Sequence, residues 1–215
     1  MRGITIILNN EIIHTGDDLD LVQEVKEIGK PEIQSYSVKV PGRNGLLNLT
    51  KGLTGKVMYY NRPLKFQYFG SGSRAELLSL EALMLRYHGE TVRIIDDDHP
   101  EHYYEGEVSV STKFGVNYIT ISLSVDAQPF RLKKARTVYS QQINGDATIR
   151  LENESIDAVP TITVTAETEI IFGDRRAIVS AGTYVANDFM LHRGVNVFEV
   201  SGTGTITFEY QEGAI

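Results

Sequence analysis

The chain of 215 residues contains no cysteine. That one absence removes disulfides, thiolate metal sites and cysteine nucleophiles together. Long apolar runs are missing as well, and none approaches the ~20 residues a membrane helix needs. The N-terminal stretch Ile4-Thr5-Ile6-Ile7-Leu8 is cut by Asn9, Asn10 and Glu11; it is too short for the apolar region of a secretory signal and reads as a strand. Catalytic spacings are absent too. His14, His88, His99, His102 and His192 are scattered, and neither His-x-x-x-His nor Gly-x-Ser-x-Gly occurs, so hydrolase templates find nothing to hold. The stretch Tyr68-Phe69-Gly70-Ser71-Gly72-Ser73-Arg74 leads toward a helix but lacks the Lys of a phosphate loop. Positive charge is in deficit, with 21 Lys and Arg against 28 Asp and Glu and a net charge of −7. A nucleic-acid binder normally presents a basic face. These absences lead us to expect a chain that is not an enzyme and calls for no cofactor and no metal.

What is present is an ordinary globular composition, 41% hydrophobic, 23% charged and 9% aromatic, in a chain long enough to bury about 70% of its unfolded surface. The charge is segregated. Between Lys30 and Lys65 lie seven cations (Lys30, Lys39, Arg43, Lys51, Lys56, Arg62, Lys65) against Glu32 alone. Between Asp96 and Glu107 lie six carboxylates (Asp96, Asp97, Asp98, Glu101, Glu105, Glu107) and no Lys or Arg. The run Asp96-Asp97-Asp98-His99-Pro100-Glu101-His102 has oxygen and imidazole ligands for a divalent cation. Its spacing matches no calcium loop, and charge runs are usually solvated, so a turn is expected.

Strand signals dominate. Ile119, Ile121, Leu123 and Val125 alternate with Thr120, Ser122 and Ser124, and Val108 and Val110 with Ser109 and Ser111; this is the period of a half-buried sheet, with Lys113-Phe114-Gly115-Val116-Asn117 as the turn of a hairpin over 107–126. One helix is expected over 73–88. Ser73 and Glu76 form a capping box, Leu77, Leu80, Met84 and Tyr87 recur at helical spacing, and Gly89 ends it. After the cationic run Arg131-Leu132-Lys133-Lys134-Ala135-Arg136 no helical period remains. Short strands are expected at 147–151, 161–166, 169–172, 177–179, 195–200 and 205–210, with turns at Asn144-Gly145, Gly173-Asp174, Ala181-Gly182, Arg193-Gly194 and Gly202-Thr203-Gly204. The fold class is therefore mainly β, with an α+β domain over 1–133 and a β-sandwich over 134–215. In the sandwich, Tyr184, Asn187, Asp188 and His192 mix aromatic and polar groups around turns and form a candidate sugar contact, set against the plainer reading of core and turn residues.

The first domain carries a resemblance. Glu27-Ile28-Gly29-Lys30-Pro31-Glu32, then Val38-Lys39-Val40-Pro41-Gly42-Arg43-Asn44-Gly45-Leu46-Leu47-Asn48-Leu49-Thr50, then Val57-Met58-Tyr59-Tyr60-Asn61-Arg62-Pro63-Leu64-Lys65-Phe66, then Asp96-Asp97-Asp98 to Tyr103-Tyr104-Glu105-Gly106 resemble, in that order, the distal tail proteins of siphophages. Asn48 stands where Asp is common. Gly194-Val195-Asn196-Val197-Phe198-Glu199-Val200-Ser201-Gly202 is similar to the family's second domain, a galectin-like sandwich. The resemblance implies a homohexameric ring of first domains at the tail tip of a phage or prophage virion. Such a protein, made in the bacterial cytoplasm, joins the tail tube protein to hub and receptor-binding proteins. It passes DNA through its lumen without specific binding and has no membrane. A negative pore would let DNA slide. The segregated charges suggest a head-to-tail contact, Lys39, Arg43, Arg62 and Lys65 of one subunit against Asp96, Asp97, Asp98 and Glu101 of the next, since a heterologous contact that closes makes a ring. The rival arrangement neutralises both stretches within one subunit. A carbohydrate-binding module for host-surface adhesion is the alternative function.

Overall fold

Apolar residues at alternate positions of an extended chain share one face, and that pattern builds most of the protein. A computed structural model describes residues 2–55, 57–154 and 156–215; Lys56, one of the seven cations above, lies outside the described residues. The chain divides into two units, Met1–Arg131 and Leu132–Ile215, each with its own core.

The first unit runs through β1 (Ile4–Leu8), β2 (Glu11–His14), β3 (Val22–Ile28), β4 (Ser37–Lys39), β5 (Leu46–Asn48), a short helix α1 (Thr50–Thr54), β6 (Arg62–Ser71), α2 (Arg74–Leu85), β7 (Thr91–Asp96), β8 (His102–Phe114) and β9 (Tyr118–Ala127). Seven strands lie antiparallel in the order β2-β1-β7-β8-β9-β6-β3. The expected hairpin is β8 and β9, with Val108 opposite Val125 and Val110 opposite Leu123. These residues, with Ile4, Ile6, Leu64, Phe66 and Tyr68, line one core onto which Leu77, Met84 and Tyr87 pack. The capping box of α2 is formed: the Ser73 hydroxyl accepts from the Glu76 backbone N–H at 3.4 Å, and the Glu76 carboxylate accepts from the Ser73 N–H at 2.7 Å. The helix stops at Leu85, short of the expected 88. The N–H groups of Arg86, Tyr87 and His88 donate to Leu83, Met84 and Leu85 instead, three-residue bonds that tighten the final turn. Gly89, at φ 81°, then donates to the Val108 carbonyl.

From the boundary the chain continues through β10 (Arg131–Lys133), which begins on the last residue of the first unit, and then β11 (Thr137–Asn153), β12 (Thr161–Val164), β13 (Thr168–Phe172), β14 (Arg175–Val179), β15 (Gly182–Val185), a 3-10 turn at Asn187–Phe189, β16 (Gly194–Tyr210) and β17 (Gly213–Ala214), which pairs with β10. Two expected turns are not turns. Asn144-Gly145 and Gly202-Thr203-Gly204 sit opposite each other inside one ladder of β11 and β16, with Gly145 facing Gly202 and Ile143 facing Gly204. Yet β16 cannot be straight. Phe198 and Phe208 have ring centroids 4.9 Å apart, whereas ten residues of extended strand span about 33 Å. The paired strands therefore fold over at the glycines, where a Cβ on Gly204 would lie 2.5 Å from the Thr165 hydroxyl. One half of β16 pairs with β13 and the other with β12. Both halves face a core of Ile149, Leu151, Ile162, Ile170, Phe198, Ile206 and Phe208. The sandwich is a single sheet, in the order β14-β13-β16-β12-β15 with β11 along β16, bent across itself.

Candidate functional site

Between β3 and β6 the first unit extends an arm. Its base is closed by a bridge of Ile33 with Tyr59, and by N–H donation from Gln34 to Met58 and from Tyr60 to Glu32. Its tip is the β4–β5 hairpin, Val38 opposite Leu47 and Lys39 opposite Leu46, turning through Pro41-Gly42-Arg43-Asn44-Gly45 as the dipeptides require. None of the described residues of 30–60 joins the core cluster. Ile33, Tyr36, Val38, Leu46, Met58 and Tyr60 are exposed, Leu46 by 64%. Single exposed hydrophobics are unremarkable, but several concentrated on one element mark an interaction surface. Lys30, Lys39, Arg43 and Lys51 are exposed among them. The arm holds five cations (Lys30, Lys39, Arg43, Lys51 and Lys56) and one anion, against nine cations and sixteen anions in the rest of 1–131, so arm and body differ in sign.

The other candidate ring residues do not all lie on a surface. Arg62 is 4% exposed, with its guanidinium 5.3 Å from the Tyr104 ring centroid, and burial lowers its pKa from the ordinary value. Asp96 is 2% exposed and receives the Lys26 ammonium at 2.6 Å. Neither can meet a neighbouring subunit, because each is enclosed by its own chain. Lys65 is exposed and 4.0 Å from Glu27, and Glu101 is exposed.

Asp97 and Asp98 stay accessible but already have partners. Asp97 accepts from the Gly3 N–H at 2.7 Å and from His14 Nε2 at 3.2 Å; Asp98 meets Lys26 at 2.5 Å and Arg2 at 3.7 Å. Burial disfavours the Lys26 charge, but hydrogen bonds and attraction from Asp96 and Asp98 outweigh it and raise its pKa. The Lys26 hydrogen bond and charge in turn lower that of Asp98. Asp96, Asp97 and Asp98 thus have partners within the chain: Lys26 and Arg2 as cations, and His14 by a hydrogen bond. Among the described residues, no cation of 30–65 pairs with a carboxylate of 96–107. Sequence reasoning missed these three partners because Lys26 and Asp96 are 70 positions apart and no local pattern links them. Among the described residues no group of three or more His, Asp or Glu is placed to hold a metal, and no helix is long and apolar enough to cross a membrane.

In the second unit Tyr184, Asn187 and Asp188 line one cleft of about 480 Å³, together with Arg175, Arg176 and Phe189. His192 is not part of it; its Nδ1 lies 3.1 Å from Asp157 and its N–H donates to Asn196. Arg175 and Arg176 escaped the sequence reading because the β13–β14 pairing brings them there, and Gly173-Asp174 signalled only a turn.

No family model matches the chain, and no curated protein is similar to it in sequence. Among solved structures it is similar to the Dit (gp 19.1) protein of phage SPP1, described as a paradigm of the hub adsorption apparatus in phages that infect Gram-positive bacteria. The TM-score is 0.68 at 16% identity, and the match covers 99% of each chain. A likeness at that identity shows the fold: a mainly β chain whose two units both have counterparts in the solved structure.

Proposed function

We propose that the chain is a structural component of a siphophage tail tip, a hub protein whose first unit assembles six to a ring between the tail tube and the adsorption proteins. The observation that carries this reading is the end-to-end likeness to a phage hub protein. Fold by itself does not fix function, but the ordered motifs of 27–130 independently resemble the distal tail proteins. The arm supports a ring in particular. It is apolar, cationic and outside the core of its own unit, while the body is anionic. An arm laid on the next copy's body makes a heterologous contact, and six such contacts close. In this reading the protein reaches the virion from the bacterial cytoplasm, DNA passes the lumen without specific binding, and no residue acts catalytically.

The test is the mass in solution. Light scattering of the native chain at low salt should give six times the 24.0 kDa of one chain, falling as added salt screens the contact. The variant Lys39→Glu/Arg43→Glu should be monomeric with an unchanged melting temperature, because both residues are exposed arm positions. A native chain that is monomeric at every salt and protein concentration would contradict the ring.

A further inference from the structure

The proposed ring rests on the first unit alone, and a cleft of the second unit has a chemistry of its own. β14 and β15 are the two ends of the folded sheet, and residues of both line the cleft over a floor of Ile162, Ile170 and Phe189. At about 480 Å³ it falls within the roughly 300–1,000 Å³ of small-ligand sites. Tyr184 is held in place before any ligand arrives. Its hydroxyl donates to the Ser180 carbonyl at 2.9 Å, and its ring lies against Gly182, where a Cβ would sit 3.4 Å from ring carbons. Tyr184 nevertheless remains 38% exposed. A fixed aromatic surface loses little entropy on binding.

Charge at the rim is paired. Within the cleft Arg175 meets Asp188 at 2.6 Å; Arg176 is held by Glu169, which lies outside the cleft lining. A charged ligand would have to break one of these pairs. A neutral ligand bearing hydroxyls can instead accept from the guanidinium and donate to the carboxylate while the pair stays intact. Asn187 adds an exposed amide beside them.

We propose that this cleft binds a neutral saccharide, with the apolar face of a sugar ring on Tyr184 and its hydroxyls bonded to Asp188, Arg175 and Asn187. The assignment stands independently of the ring. Saturation-transfer NMR on the full-length chain tests it, with lactose, cellobiose, maltose and N,N′-diacetylchitobiose as probes and sialyllactose as the charged comparison. Transfer to at least one neutral disaccharide is expected, about tenfold weaker or lost in Tyr184→Ala and in Asp188→Ala. Tyr184→Phe keeps the ring and should keep most of the binding. The altered side chains are exposed, so an unchanged near-ultraviolet spectrum will verify the fold of each variant. Transfer to no neutral probe, transfer to sialyllactose alone, or binding unchanged in both alanine variants would overturn the proposal.

Discussion

At the scale of single residues, the buried carboxylate of the first unit depends on one lysine. Lys26 holds Asp96, which is 2% exposed, and Asp98 together. Removing the cation leaves a buried carboxylate unpaired. Lys26→Met should cost about 2 kcal/mol in urea denaturation, less than the roughly 3–5 kcal/mol of a fully buried pair because Lys26 keeps a quarter of its surface exposed. In the second unit Glu212 is 5% exposed. Burial opposes its ionisation, but hydrogen bonds from Thr137 and Lys133 outweigh burial and lower its pKa below 4.5. A carboxyl depressed on folding contributes stability that is complete above its unfolded value and lost as pH falls through the folded one. Lys133, raised above 10.5 by the Glu212 hydrogen bond, contributes below that value and loses its contribution as pH rises through the folded one. Urea midpoints between pH 3 and 7 should therefore drop below pH 4.5, and more gently in Glu212→Gln. An equal drop in both chains would assign the acid sensitivity elsewhere. Neither pair was legible in the sequence, since both join residues far apart along the chain; composition showed that charges were segregated but not where they met.

At the scale of elements, what could be read was whatever is decided locally. The capping box of α2 and the alternation of β8 and β9 follow from neighbours within a few positions, and both are present. The five residues of α1 offered no period to detect. The glycines of β16 show the limit most clearly. Gly202-Thr203-Gly204 carries the same local signal whether the chain reverses there or bends with its ladder intact, and only the pairing partner decides. The difference is measurable. A solvent-facing turn would accept a side chain, whereas Gly204 sits at φ 113° beside a Thr165 hydroxyl that already accepts from the Thr205 N–H. Gly204→Val should cost about 2 kcal/mol or more in urea denaturation, and a loss under about 0.5 kcal/mol, the range of ordinary surface substitutions, would argue for a free turn.

At the scale of the whole molecule, segregated charge was readable from the sequence, but its geometry was not. The carboxylates at 96–98 were expected to face a neighbour; one is buried and the others already have partners within their own chain. In the proposed ring the arm, apolar and positive, meets the anionic body spread over the rest of the first unit. The second unit contributes a cleft whose proposed role does not depend on whether the first unit closes. Negative-stain electron microscopy of the purified native chain tests the proposed ring. Six-fold rings with a central opening are expected, absent in the Lys39→Glu/Arg43→Glu variant. Fields of single particles without an opening, at concentrations where the native chain is folded and abundant, would contradict it.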